Sequence, residues 1–481
     1  MFDLRPVGYV IGLLVAVLGV TMLAPAIVDW YDANGNAYAF LESAILTFVT
    51  GGLAAIACSN GVGKGLTIQQ TFLLTTGVWL ALPLFGSMPF VIGATDARFV
   101  DAFFEAMSGL TTTGSTVFSG LEELPRGLIL WRAILQWLGG IGIIVVAMVF
   151  LPELRVGGMQ IFRSEGFDTF GKILPRATEI SSRISVIYFA VTAAAGLSYR
   201  ASGMGLFDSA VHAMTTVATG GFSSYDQSFS ALPPAAEYVA VIFMILAALP
   251  FVRYVQLISG SPWAPFQDSQ IRGFLTTLAV LFVVMTLYLW NQEQGGEVGL
   301  RKALFNVTSI LTGTGYASAD YMQWGSFAVM LFFFVGLIGG CAGSTSCSIK
   351  IFRYQLLFAS VGAQIRKIHS PNGMFVPRYD GRRVGDDVIN SVMSFLLLFV
   401  VTLGVIAILL GMTGLDFITS VSGASAALAN IGPGLGLEIG PAGNFGGLND
   451  AAKWILAVAM LLGRLELLAV YAILTTHFWR S

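Results

Sequence analysis

The stretch Thr111-Thr112-Thr113-Gly114-Ser115 lies between two long apolar runs, and three later stretches share that setting: Ala218-Thr219-Gly220-Gly221-Phe222, Gly313-Thr314-Gly315-Tyr316 and Asn430-Ile431-Gly432-Pro433-Gly434. Each is entered through an apolar run and a short amphipathic stretch, and each is left through a second apolar run. A run of about 20 apolar residues is long enough to cross a bilayer as a helix. The chain thus repeats one unit, helix, loop, helix, four times at intervals of about a hundred residues, and such a period marks duplicated structural units. Two more apolar runs, 7–28 and 40–60, precede the first unit. The first of these is long, carries Tyr9 near its start and leads into another span, so it reads as a membrane helix and not as a cleaved leader.

The composition agrees. Hydrophobic residues make up 56% of 481 positions and charged residues 11%, and the mean hydropathy is +0.78. No water-solvated globule of this length normally has that balance. A net charge of -2 offers no basic field for nucleic acid. Cys58, Cys341 and Cys347 fall in or beside apolar runs and read as buried small residues, with neither a disulfide framework nor a metal set implied. His212, His369 and His477 share no spacing that would suit a metal or a proton relay.

The expected fold is an all-α polytopic membrane protein: two N-terminal helices, then four helix, pore loop, helix repeats around a central pore with pseudo-fourfold symmetry. The divisions are 1–68 for the leading helices, 69–184 for the first repeat and a loop, 185–272 for the second repeat, 273–386 for the third repeat and a loop, and 387–481 for the fourth. Two leading spans and four pairs make ten, which puts both termini on one side. Of the 25 Lys and Arg residues, seventeen fall on the face shared with the termini, seven on the other, and Arg464 falls within a span. The positive-inside rule then places the termini and the loops 152–184 and 354–386 in the cytoplasm, with all four Thr/Gly loops opening outward.

An ion crossing a membrane must exchange its water shell for protein oxygens, and non-helical backbone offers carbonyls only where it lines a protected cavity. Glycine permits the backbone angles that turn successive carbonyls toward one axis, and a threonine before it adds a hydroxyl. One such loop would suit helix packing equally well. Four in the same setting point to a cation pore. The expected filter positions are Thr112, Thr113 and Gly114; Ala218, Thr219 and Gly220; Gly313, Thr314 and Gly315; and Asn430, Ile431 and Gly432. In this alignment threonine precedes three of the glycines and Ile431 the fourth, so some sodium or rubidium passage is expected.

At these residues the sequence resembles the Trk/Ktr/HKT family of potassium transporters over essentially its whole length. It is closest to the Trk branch, through the two extra N-terminal helices, the run Thr314-Gly315-Tyr316-Ala317-Ser318-Ala319-Asp320-Tyr321 and the run Asn430-Ile431-Gly432-Pro433-Gly434. The resemblance implies potassium as the transported ion, a bacterial inner-membrane location, a homodimer and a cytosolic nucleotide-binding regulator of the TrkA type. No loop in this chain resembles a nucleotide-binding motif, and no cofactor is expected beyond the transported ion. The basic loops 152–184 and 354–386 are candidates to dock the regulator, or serve topology alone.

In the third repeat the second apolar run is broken by Gly336, Gly339, Gly340, Cys341, Ala342, Gly343, Ser344, Thr345 and Ser346. So many weak helix formers suit either a broken helix lining the pore or a small-residue packing face. The resemblance implies an intramembrane loop that gates the pore. Arg464 sits mid-span, where charge costs at least ~2.5 kcal/mol and faces a cavity or partner. It reads either as a structural arginine on loop carbonyls or, as the resemblance implies, as a positive barrier beneath the filter. Glu466 lies on another helix face and is the only obvious carboxylate deep in a span. Asp101, Asp208 and Asp416, with Asn306 in the third repeat, precede the loops and read as helix caps, and Glu105 lies within the first short helix. A proton- or sodium-coupled symporter and a less selective cation pore remain alternatives. An enzyme is disfavoured, since no helical His pair, buried Asp pair or activated nucleophile is present.

Overall fold

The computed structural model describes residues 3–61, 66–146, 158–159 and 177–480. The leading helices are α1 (Arg5–Thr21), continued by α2 (Leu23–Tyr31), and α3 (Ala37–Cys58). Gly12, Gly19 and Gly51 let the α1 and α3 backbones meet, since a Cβ at Gly12 would stand 2.6 Å from the Ala55 nitrogen.

The first repeat contains α4 (Ile68–Gly86), α5 (Met88–Ile92), the short α6 (Phe99–Leu110) and α7 (Arg126–Val145). The second contains α8 (Ala177–Ala201), the short α9 (Leu206–Val217), α10 (Pro234–Ala248) and α11 (Phe251–Ile258), followed by α12 (Ala264–Gln267). Pro250 separates α10 from α11, which turns off by 87°. The third contains α13 (Ser269–Asn291), the short α14 (Gly296–Thr312), α15 (Ser326–Gly336) and α16 (Ile351–His369). The fourth contains α17 (Asp386–Met412), the short α18 (Phe417–Ala429), α19 (Asp450–Arg464), α20 (Leu468–Leu474) and α21 (Thr476–Arg480).

Among the described residues seven helices are long and apolar enough to cross a membrane, and the bent pairs α10–α11 and α19–α20 bring the number to nine. The tenth expected span is in two pieces: α15 stops at Gly336 and α16 starts at Ile351, with residues 337–350 looping between them. One element departs from the all-helical expectation. Residues 378–383 form a hairpin, β1 (Arg378–Tyr379) and β2 (Arg382–Arg383), about the Asp380-Gly381 turn. Asp-Gly between short strands is a hairpin signal.

The burial pattern is inverted relative to a soluble protein. Large apolar side chains such as Val17, Ile45, Leu53 and Leu287 face outward, as lipid contact requires. The short helices occupy the centre: in α6 every residue from Ala102 to Leu110 is buried.

Candidate functional site

Each short helix ends in the same way. The Thr113, Gly220, Thr314 and Ile431 amides donate to the Ser108, Thr215, Ser309 and Ala426 carbonyls, each at 2.9 Å. One residue earlier, Thr112, Thr219, Gly313 and Asn430 are all left-handed, with φ of 52, 49, 78 and 52°. One residue later stand Gly114, Gly221, Gly315 and Gly432. This corrects the register of the second loop. The sequence sets Gly220 level with Gly114, whereas Gly221 takes that place and Gly220 stands level with Thr113, Thr314 and Ile431. Two adjacent glycines fit either register, and the hydrogen bond back into the helix decides it. Thr219 belongs one level lower, and Ala218 caps α9.

The four glycines close a ring. A side chain at Gly114 would run into the Gly220 carbonyl, and one at Gly221 into the Thr314 carbonyl. A Cβ at Gly315 would stand 2.6 Å from the Gly432 nitrogen, and one at Gly432 3.1 Å from the Gly114 carbonyl oxygen, which returns the path to the first repeat. Ser115 also donates to the Gly432 carbonyl (2.8 Å). The loops of repeats 1, 2, 3 and 4 therefore follow one another around a single axis. Gly114, Gly221 and Gly315 have φ of 87, 79 and 83°, a region that side chains disfavour.

The threonine hydroxyls expected at the pore edge are taken by protein partners. Thr113 Oγ1 contacts Thr111 Oγ1 (2.7 Å) and accepts from Asn430 Nδ2 (3.0 Å). Thr314 Oγ1 contacts Thr312 Oγ1 (2.8 Å), and Thr219 Oγ1 donates to the Ala218 carbonyl (2.8 Å). Buried side-chain oxygens without a hydrogen-bond partner at this site are Ser108 Oγ in α6 and, two residues ahead of the ring glycines, Thr112 Oγ1 and Asn430 Oδ1. All four short helices aim their C-termini at this centre, so their dipoles favour a cation there. Their outer ends carry acidic residues, Asp101, Asp208 and Glu297 in first turns and Asp416 at an N-cap.

Behind the ring the support differs from repeat to repeat. Glu105, His212, Asn306 and Gly423 stand equally far ahead of the ring glycines. Glu105 accepts from the Val117 amide (2.9 Å) and pairs with buried Arg132 (2.7 Å), whose Nη1 donates to the Ser223 carbonyl (2.8 Å). His212 Nε2 bonds Ser223 Oγ (3.0 Å). Asn306 Nδ2 donates to Ser318 Oγ (3.1 Å), so Asn306 is an anchor and not the expected cap. Gln136 Nε2 donates to the Gly220 carbonyl (2.6 Å), and Tyr316 reaches Thr215 of the neighbouring repeat (2.5 Å). The cap reading holds for Asp416, which accepts from the Ile418 and Thr419 amides (3.0 and 3.3 Å). Asp101 instead binds Arg98 (2.9 Å) and Lys453 (2.6 Å), and Asp208 accepts from Ser224 (2.7 Å) and Tyr225 (3.1 Å). A cavity of ≈ 170 Å³ lies outside the ring and touches Gly114, Gly221, Gly315 and Gly432.

On the other side of the ring lies the loop between α15 and α16. Ser346 Oγ donates to the Thr312 carbonyl (2.6 Å), directly below Gly313. Gly340 donates to Ser346 Oγ (2.9 Å), Thr345 Oγ1 to the Ala247 carbonyl (3.1 Å), Phe251 to the Gly343 carbonyl (2.9 Å), Cys341 to the Ala248 carbonyl (3.1 Å) and Ala342 to Gln270 Oε1 (2.9 Å). Ser344 Oγ donates to the Cys341 carbonyl (2.7 Å). Gly336 and Gly339 form the descending limb, where a side chain at Gly339 would strike the Cys347 carbonyl. Arg464, 2% exposed, links repeat 4 to repeat 1 and to the loop: Nη2 donates to the Gly139 carbonyl of repeat 1 (3.0 Å), and Nη1 meets the Thr345 carbonyl (3.4 Å) and Cys347 Sγ in the loop. Its Nε has no partner.

Glu466 joins a buried triad that the sequence did not reveal. It pairs with Lys350 (3.0 Å) and Arg353, and the Arg353 guanidinium lies 3.8 Å from the Phe395 ring centre. Lys350 and Arg353 are 4% and 0% exposed, so they are buried partners of Glu466 and not solvated charges. Their position just after the loop was the available signal. The loop 152–184 lies outside the described residues except for 158–159 and 177–184. No group of His, Cys, Asp or Glu that could hold a metal occurs among the described residues.

Known proteins share this arrangement. The chain is similar to the Trk system potassium uptake protein TrkI of Halomonas elongata, 42% identical over 480 residues, covering 99% of this chain and 97% of that protein. It is 33% identical over 485 residues to the Trk system potassium uptake protein TrkH of Escherichia coli, covering 99% of each. The crystal structure of the potassium transporter TrkH from Vibrio parahaemolyticus superposes with a TM-score of 0.90 at 32% identity over 100% of both chains. The profile of the TrkH family, described as cation transport protein, matches residues 36–477. With four loops closed on one axis and likeness along its whole length, the chain belongs to the TrkH family of cation transport proteins.

Proposed function

We propose that this chain carries potassium into the cell through the ring formed by the four loops. The closed circuit of Gly114, Gly221, Gly315 and Gly432 carries the reading, because it brings backbone from all four repeats to one axis within a protected interior. Residues 112–114, 218–221, 313–315 and 430–432 form the filter, Gly221 being added to the positions expected from sequence. The unpartnered Thr112 and Asn430 oxygens supply further ligands at its inner end. The divisions 69–184, 185–272, 273–386 and 387–481 each supply one wall, and 1–68 packs outside them. As a family member the chain is a transporter and not an enzyme.

Passage is gated by the loop 336–350 together with Arg464. The loop lies under the filter, and Arg464 places a buried positive charge between it and repeat 1. The protein resides in the bacterial inner membrane with both termini in the cytoplasm, works as a homodimer, and answers to a cytosolic nucleotide-binding subunit of the TrkA type. Its relatives, potassium uptake proteins of a Trk system, support potassium and a system of several components.

The test is the reversal potential of the purified protein in planar bilayers under opposed potassium and sodium gradients. A potential near the potassium equilibrium value is expected, and equal permeability to both ions would discard the selective filter. In the same bilayers Arg464→Ala should raise the current about tenfold or more, in line with the cost of a buried charge on the path. An unchanged or lower current would assign Arg464 to structure alone.

A further inference from the structure

A recess of ≈ 770 Å³ opens where the second and third repeats meet, at the level of the bend between α10 and α11 and remote from the filter. Its lining includes the guanidiniums of Arg253, Arg272 and Arg382 and one carboxylate, Asp380. Arg253 is held by Asp268 (2.6 Å). Arg272 and Arg382 are exposed and have no ion pair among the described residues. Arg382 arrives from far along the chain, on the tip of the β1–β2 hairpin, so two separate segments bring cationic groups to the same recess.

Trp263 in the lining is 70% exposed and packs its ring 6.0 Å from that of Phe266, also 70% exposed, and Ile258 at the end of α11 is 71% exposed, so three apolar side chains stand free beside the recess. α11 turns 87° from α10, an angle that lays α11 and the residues after it along a membrane surface when α10 stands upright in the bilayer. Exposed tryptophan beside unpaired arginine is the arrangement that favours the boundary between lipid tails and headgroups. Basic recesses between spans at that depth suit anionic lipid headgroups.

We propose that this recess binds the phosphate of an anionic membrane lipid, with Arg272 and Arg382 on the headgroup and Ile258, Trp263 and Phe266 against its acyl chains. The aromatic rim selects the lipid over free phosphate, which would gain only the guanidinium contacts. None of the filter residues lines the recess, so occupancy ties the α10–α11 bend and the hairpin to the bilayer without touching the filter.

Native mass spectrometry of the detergent-purified full chain, titrated in turn with phosphatidylglycerol, phosphatidylcholine and inorganic phosphate, tests this. Phosphatidylglycerol should be retained, and Arg272→Ala/Arg382→Ala should weaken its tightest site about thirtyfold, equivalent to about 2 kcal/mol at about 1 kcal/mol per arginine. Both side chains are exposed, and unchanged α-helical circular dichroism in the variant would confirm that the loss is local. Three results would each overturn the proposal: unchanged affinity in the folded variant, equal retention of phosphatidylcholine, or displacement of the lipid by inorganic phosphate at equal concentration.

Discussion

Potassium-selective uptake is expected to fall on the order of a hundredfold when Gly221 becomes alanine, through about 1–2 kcal/mol of left-handed backbone strain and a displaced neighbouring carbonyl. Gly221 has φ of 79°, and its added methyl would strike the Thr314 carbonyl, part of the ring in the next repeat. Gly220 is the control. It lies outside the left-handed region, and its methyl would meet the end of the Gln136 side chain and not backbone. Gly220→Ala should therefore keep most of its selectivity, with a loss nearer tenfold from the broken Gln136 hydrogen bond. Potassium uptake by a transport-deficient strain, with sodium competition, reads both. A larger loss at Gly220 than at Gly221 would restore the register suggested by the sequence.

Glu466→Gln should destabilise the protein by about 3–5 kcal/mol, the cost of removing one partner from a buried ionic group. The carboxylate holds Lys350 and Arg353 at the exit of the intramembrane loop, and all three are nearly sealed from solvent. Glutamine keeps the shape but leaves two buried cations uncompensated. Denaturant unfolding in detergent would measure the loss, and a change below about 1 kcal/mol would mean that water reaches the triad. Adding Arg353→Met should recover part of the deficit, a coupling that independent sites would not show.

The fold was legible in the sequence because its four loops sit in identical settings, and setting is visible as apolar length. The broken tenth span was legible for a related reason, since the clustering of glycine and serine between Gly336 and Ser346 defeats any continuous helix. Register was not legible in the second loop, where Gly220 and Gly221 are chemically identical and only a hydrogen bond to Thr215 distinguishes them. The roles of Asp101 and Asp208 were missed because their partners, Lys453 and Tyr225, come from other segments. The pairing of Lys350 and Arg353 was hidden for the same reason: their carboxylate partner, Glu466, comes from the last repeat. The hairpin carried a local signal, Asp380-Gly381, that the dominant helical periodicity concealed.

The circuit of glycines has a consequence for how selectivity changes over generations. In an assembly of four identical subunits, one codon substitution in the loop would alter every quarter of the ring together, and most such changes would be lethal to the function. Here Gly114, Gly221, Gly315 and Gly432 are encoded separately, and so are the unlike residues beside them, Thr113, Gly220, Thr314 and Ile431. Mutation reaches one quarter at a time. The unlike residues beside the ring, Thr113, Gly220, Thr314 and Ile431, are a difference between quarters that four copies of one subunit could not carry.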